Sequence, residues 1–369
     1  MTEKLKQLLH ERSDAVDFAM PDIDALTRAG ERRIRRRGAA LVAGGLAAAA
    51  VTATVLVPQL RGGADPVQVV DVPATDAVSW AKGDVIHVGN QTVDVGHEVW
   101  AYSRTTRGYV VADRDGTVWS VTDSGIRSVG TVSAKHPRIV ADTDGTLAGW
   151  LDPSGESPAF VVLDQATGDV VRENGETTAG MGELADEENP AYIYAIDGRT
   201  AYWRDARGAV AVDVDSGEVR VVNARARNGF DIIAAEDDLV AFSRQRGTQI
   251  GQGPDDVVAM LREVYGSMGA FSPDARFYSA DADEPQVYDV STGTRVELDL
   301  DRGFATGYEW LDSETLVVLA AAEAENTSEA ELLTCNVTSG QCTPVAADLG
   351  TFDDMVESVA LPVGERLGG

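Results

Sequence analysis

Cys335 and Cys342 are the only cysteines among 369 residues, and they flank a short turn in the stretch LLTCNVTSGQCTPV. A thiol pair can hold a metal, exchange disulfides or staple two strands. Zinc would need further ligands close by, and no histidine follows His136. A redox pair normally reads Cys-x-x-Cys. If Thr338 and Ser339 form the tip of a hairpin, Val337 faces Gly340, Asn336 faces Gln341 and the two cysteines face each other. Opposed strand residues have Cα atoms about 4.5 to 5.5 Å apart, a spacing a disulfide accepts. The pairing expected is a structural disulfide, provided that this part of the chain lies in an oxidising compartment.

Two other groups of residues carry the elements of a binding site. Asp113 and Asp115 in DRDG, and Asp142 and Asp144 in DTDG, have the carboxylate spacing that begins a calcium loop. Neither continues with the further acid and distal glutamate that complete one, and Asp-Gly is also a common hairpin turn. Calcium is therefore the one cation considered, and no other cofactor is expected. Arg225, Arg227, Arg244 and Arg246 fall at the ends of neighbouring predicted strands and form a candidate anion or acidic-partner site, with surface charge as the alternative. No Gly-x-Ser-x-Gly elbow, phosphate-binding loop or His-Glu-x-x-His is present. A hydrolase would have to assemble its site from His87, His97 or His136 by folding, so no catalytic residue is assigned.

The formal charge of −29 argues against nucleic acid as a partner, because phosphate binding needs a basic footprint. Charge is also unevenly placed. Residues 1–37 hold nine Lys or Arg against seven Asp or Glu, while the remainder holds 22 against 53. The acidic stretches 183–188, 236–238 and 281–284 read as solvated loops.

Arg32, Arg33, Arg35, Arg36 and Arg37 stand directly before an uncharged run from Gly38 to Val57. Twenty helical residues span about 30 Å, the thickness of a hydrocarbon core. The arginines predict a cytoplasmic N-terminus. The domains expected are a cytoplasmic tail (1–37), a single transmembrane helix (38–60), a linker (61–65) and an extracytoplasmic body (66–369). The run is rich in alanine, with eight among its residues, so a cleaved signal peptide or a buried helix are the alternatives. An uncleaved anchor would place the protein in the cytoplasmic membrane as a single-pass protein.

The body must then position whatever site exists. Segments such as YVVADRDGTVWSV and AVAVDVDSGEVRVV alternate apolar and polar residues and are broken by Gly turns. TDSG, DQATG, DVDSG, DVSTG and NVTSG place glycines at 125, 168, 217, 293 and 340, an interval near 43 residues with one gap of double length. About four strands per such interval is the signature of a propeller blade. Blades are expected near 97–131, 136–174, 190–223, 229–266, 267–300 and 305–347. GDVIHVGNQTVDVG ahead of them and ESVALP behind them would close a seventh blade from both termini. Seven four-stranded blades in an all-β body is the fold expected, with six as the rival count. Residues 254–265, PDDVVAMLREVY, carry Val257, Val258, Leu261 and Val264 at helical spacing after Pro254, and predict one helix.

The stretch GAFSPDARFYSADADEPQVYDVSTGT, 269–294, resembles a blade of the WD40-like and TolB-like propellers, whose repeats carry F-S-P-D-G and D-x-x-T-G turns. Ala275 stands where that pattern has glycine. The resemblance covers blade architecture over most of 66–363, and it implies a rigid disc that binds proteins or small ligands at its faces or channel. The arginine-flanked anchor and the use of 27 arginines with four lysines look like membrane-tethered propeller proteins of high-GC bacteria. The function expected is a non-catalytic binding or scaffolding module outside the membrane, with an unidentified protein or small-molecule ligand. A channel hydrolase or lyase, and a signalling protein acting through residues 1–37, are the alternatives.

Overall fold

Alternating side chains oblige a strand to bury two different faces when sheets pack on both sides of it. β5 (Gly108–Asp113) is buried along its whole length, with Tyr109 and Val111 in one apolar cluster and Val110 and Ala112 in the next. Sheets stacked like the blades of a propeller give every middle strand two interiors. A computed structural model of the chain has that arrangement. It describes residues 77–173, 178, 181, 190–226, 231–245, 247–262, 264, 269–280, 285–323, 328–347 and 349–367.

Seven four-stranded antiparallel sheets follow one another. β1 (Ser79–Lys82), β2 (Val85–Val88) and β3 (Gln91–Asp94) begin the chain's strand order. β4 (Val99–Thr105), β5, β6 (Thr117–Thr122) and β7 (Gly125–Thr131) form the first complete blade. The second comprises β8 (Ile139–Ala141), β9 (Leu147–Asp152), β10 (Ala159–Asp164) and β11 (Val170–Glu173). β12 (Tyr192–Asp197) to β15 (Val219–Asn223) form the third, and β16 (Ile232–Glu236) to β19 (Ala259–Arg262) the fourth. The fifth runs from β20 (Gly269–Phe271) to β23 (Thr294–Val296) and the sixth from β24 (Phe304–Trp310) to β27 (Cys342–Ala346). β28 (Val359–Ala360) then pairs antiparallel with β1, Ala81 opposite Ala360, so the seventh blade takes its innermost strand from one end of the body and three strands from the other. This is the seven-blade ring expected, and the rival six-blade count is excluded.

Seven apolar clusters fill the seven clefts between neighbouring blades. Phe160 of the second blade stacks on Trp203 of the third, ring centroids 4.6 Å apart. Each cleft removes apolar surface from water and is the main source of the ring's stability. The repeated turns are the outer hairpins. Gly168, Gly217, Gly293 and Gly340 all have φ between +65° and +78°, the left-handed conformation expected for the last residue of these turns.

Residues 254–265 depart from expectation. Pro254 and Asp255 form a turn and Ala259–Arg262 is β19, the outer strand of the fourth blade, so no helix interrupts the sheet. Ala259 and Leu261 face inward while Met260 is exposed, which is period-2 alternation over four residues. Closing the four-stranded sheet overrides the helical spacing. A helix does occur elsewhere: α1 (Phe352–Ser358) starts at Thr351, whose hydroxyl accepts the Asp354 N–H in a capping box. Its Met355 packs with Leu349 and Leu361 in the cleft between the sixth and seventh blades.

The expected tail, membrane helix and linker, residues 1–65, lie outside the described residues. Among the described residues no helix is long and apolar enough to cross a membrane.

Candidate functional site

The innermost strands surround an axis, and the chain itself returns to its edge at residues 363–365. After β28 the chain continues through residues 361–367 as isolated bridges on either side of a bend at Gly364. Val363 bridges Ser103 of β4 and Glu365 bridges Arg138 just ahead of β8, both antiparallel. The Gly364 N–H donates to Tyr102 O and its carbonyl accepts from the Ile139 N–H, each at 2.8 Å. The other edge of β4 is already paired with β5, so these bonds lie on the axial side. Gly364 is obligatory at this point: its φ is +73°, and a Cβ there would stand 1.7 Å from Ile139 O. Arg138 ion-pairs with Glu365, lies over the Tyr192 ring and donates to Ile193 O and Tyr194 O, which carries the tie on to the third blade.

A charged pair sits at the seam where the ring closes. Arg104 of β4 and Glu309 of β24 belong to the first and sixth blades, which flank the two-terminus seventh blade. Arg104 Nε is 3.0 Å from Glu309 Oε1, with both side chains 4% exposed, and Arg104 Nη2 donates to Trp310 O at 3.2 Å. Burial lifts the Glu309 carboxyl to about 7 against the opposing pull of Arg104. Burial also raises the neighbouring Tyr102, Tyr109 and Tyr308 phenols, so these rings stay neutral. Tyr102 donates to Ser79 Oγ of β1, adding a second bond across the seam.

Cys335 and Cys342 are brought together as their spacing requires. They are directly opposed in the β26 (Ala330–Asn336) and β27 pair and joined by a disulfide, with Cα atoms 4.0 Å apart. Asn336 N–H donates to Gln341 O and Gly340 N–H to Asn336 O, which fixes the turn at its expected tip.

The aspartates sit in hairpins. Asp113 Oδ1 accepts from the Asp115 and Thr117 N–H groups and its Oδ2 from Trp119 Nε1, so both oxygens are occupied within the turn. Asp142 is buried in the turn between β8 and β9, and burial, with Asp144 hydrogen-bonded beside it and Asp197 nearby, pushes its carboxyl up to about 8. Among the described residues no three His, Cys, Asp or Glu side chains converge as a metal ion needs. Arg225 and Arg244 lie at one face of the disc, the first exposed and the second engaged with Gln249 Oε1, the Ser243 carbonyl and the Phe242 ring. Arg227 and Arg246 lie outside the described residues, and the helix expected to rim this group is β19. His87 stacks on Trp80 at 3.8 Å and His97 on Trp119 at 3.7 Å, so both imidazoles serve as packing surfaces. Burial, with Lys82 beside it, lowers the His87 imidazole.

Sequence reasoning missed the axial segment and the seam pair. Charged residues inside apolar strand patterns, in AYSRTT and GYEWL, were the available signal for the second.

No protein-family model matches the chain, and no curated protein matches it in sequence. Solved structures do match in shape. The apo form of AztD from Citrobacter koseri is 11% identical, with 77% of this chain and 98% of that one covered and a TM-score of 0.45. TolB from Acinetobacter baumannii is 11% identical over 76% of this chain and 65% of that one, TM-score 0.40. A puromycin-hydrolyzing peptidase of Mycobacterium tuberculosis is 14% identical over 75% and 55%, TM-score 0.45, so this chain spans about half of its length. Likeness at this level concerns fold alone, and the blade count rests on the strand topology of the chain itself.

Proposed function

We propose that this protein is a non-catalytic binding or scaffolding propeller, held outside the cytoplasmic membrane by an uncleaved span at residues 38–60. One observation carries the reading. Where a channel enzyme would need an open chamber, the chain's own residues 363–365 run along the axial edges of β4 and β8, hydrogen-bonded on two sides. Rigidity supports it further: the interlocked seventh blade and the seam pair join blades across the ring closure, the disulfide fixes the outer hairpin of the sixth blade, and a preorganised disc presents its faces at low entropic cost. The disulfide and the arginine cluster before Gly38 agree with an oxidising location for the body.

The test is photocrosslinking in intact cells, with a photoreactive residue placed on each face of the full-length protein, followed by recovery of crosslinked species. Face-dependent partners are expected. Crosslinks absent from both faces, together with turnover of ester or peptide substrates by the purified protein, would overturn the assignment. Thiol labelling without reductant decides the location: Cys335 and Cys342 should react only after denaturation and reduction.

A further inference from the structure

The outer strand of each blade leaves one backbone edge unpaired, and such an edge pairs readily with another strand unless its side chains prevent it. Several outer strands here carry a blunting residue. β7 exposes Arg127, β15 exposes Arg220, β23 exposes Arg295, and β27 contains Pro344, which has no N–H to donate. β19 differs. It is the last strand of its sheet, so its outer edge is unpaired among the described residues. Ala259 and Leu261 are buried in the cleft between the fourth and fifth blades, while Val257, Val258 and Met260 are 50%, 40% and 43% exposed. Asp256 and Arg262 are exposed as well, two residues to either side of Val258 and Met260. Neither has a side-chain partner among the described residues. Alternate positions along this stretch therefore read acid, apolar, apolar, base.

We propose that two copies of this chain associate through β19, paired antiparallel about a two-fold axis at Ala259. In that register Val258 lies opposite Met260 of the second copy and Asp256 opposite its Arg262, and the symmetry makes each contact twice. Directly opposed residues point to the same side of a sheet, so the four exposed side chains of each copy meet on one surface. Moving the register by two residues would set Arg262 opposite Val258 and leave the charges unmatched; moving it by one would oppose exposed positions to buried ones. The sequence of this edge is thus complementary to itself in both charge and apolar surface. The inference goes beyond the reading of a binding module and stands whether or not the disc binds another ligand.

Sedimentation velocity of the full-length protein in detergent, over a concentration series, tests this, with circular dichroism reporting the fold of each variant. A monomer–dimer equilibrium is expected. Val258→Lys with Met260→Lys, both at exposed positions, should abolish the dimer. Asp256→Arg sets like charges opposite each other twice and should weaken it roughly fivefold or more, whereas Asp256→Arg with Arg262→Asp should restore it. The register is read by mixing a Val258→Cys protein with a Met260→Cys protein under mild oxidation. A mixed disulfide is expected, because opposed strand residues have a Cα spacing that a disulfide accepts. Val171→Lys in β11, an outer strand that also exposes two valines, should leave the dimer intact. A monomer at every concentration, a dimer that survives the paired lysines, a charge exchange that fails to restore association, or loss of the dimer in the β11 variant would each overturn the proposal. Photocrosslinked partners recovered at the disc faces alongside a strictly monomeric protein would sink the dimer and leave the scaffolding function standing.

Discussion

Arg104 and Glu309 meet across the ring closure, Nε to Oε1 at 3.0 Å, although they are separated in sequence by most of the propeller. The contact is a buried charge pair joining the first and sixth blades past a seventh whose innermost strand, β28, is two residues long. A buried pair is weak evidence of net stabilisation, but removing one partner strands the other. Arg104→Met alone is therefore expected to cost about 3 to 5 kcal/mol at pH 8, and Arg104→Met with Glu309→Leu much less. Urea unfolding of the two variants checks the ordering; a double variant as unstable as the single one would refute it.

The same carboxyl sets a pH dependence. Glu309 titrates at about 7 in the folded protein against an ordinary value of 4.5, and Asp142 at about 8 against 3.8. A carboxyl whose folded value is raised binds more protons when folded. Its contribution is complete below the unfolded value and is lost as pH rises through the folded one. Stability should fall between about pH 4 and pH 8, and Asp142→Asn should flatten the upper part of that slope. Melting curves at half-unit steps decide this; a rise in stability over that range would contradict it.

How much of this was legible in the residues depends on the length over which a pattern repeats. The outer-turn glycines recur across the chain and predicted both the blade interval and the register that opposes Cys335 to Cys342, because a turn fixes pairing locally. β19 carries a helical signal in its sequence because four alternating residues, flanked by exposed Val257 and Val258, fit either period. The fourth blade also lacks the outer-turn signature that marks its neighbours. The axial segment had no signal, since its partners β4 and β8 are more than 200 residues away in sequence. Ala275, standing where the resembling repeats carry glycine, does adopt the glycine conformation, with φ of +54°.

Disulfide loss has a calculable cost. The loop closed by Cys335 and Cys342 is short, with a sequence separation of 7. The chain-entropy estimate is about 2.5 kcal/mol. Reduction, or Cys335→Ala with Cys342→Ala, should lower the denaturant midpoint accordingly, and a shift equivalent to less than about 1 kcal/mol would assign the bond no structural weight.

One substitution should stabilise the protein. Asp237 and Asp238 occupy the hairpin between β16 and β17 (Leu239–Arg244) with φ of +51° and +66°, a pair of left-handed conformations that favours glycine at the second position. Asp238 is exposed, and only its backbone N–H is used, donating to Asp197 Oδ2. Asp238→Gly keeps that bond, removes a like charge near Asp197 and relieves the backbone. A gain of about 0.5 to 1 kcal/mol is expected in thermal unfolding, whereas Asp238→Val should lose stability.

Gly364 ties the axial segment to the ring, and its substitution separates the segment's role from that of the ring. Alanine there places a Cβ 2.6 Å from Ser103 Oγ and closer still to Ile139 O, in a left-handed backbone, with nothing flexible to yield on the Ile139 side. The segment must leave the axis or β8 must move. Leaving from Val363 onward is the cheaper course, because Leu361 can stay in its cleft while the chain gives up a few hydrogen bonds, the Arg138 pair with Glu365, the Arg366 contact with Trp100 and the edge packing of Val363 and Leu367, whereas shifting β8 would open the Trp150 cleft. Gly364→Ala should therefore speed amide exchange at Ile139 and Gly364, with limited proteolysis cutting near residue 361, while exchange in β12 to β19 stays unchanged. Uniform acceleration across all seven blades would mean instead that the segment is integral to ring closure. Unchanged exchange at Ile139 would mean that Gly364 does not tie β4 to β8 in the way described.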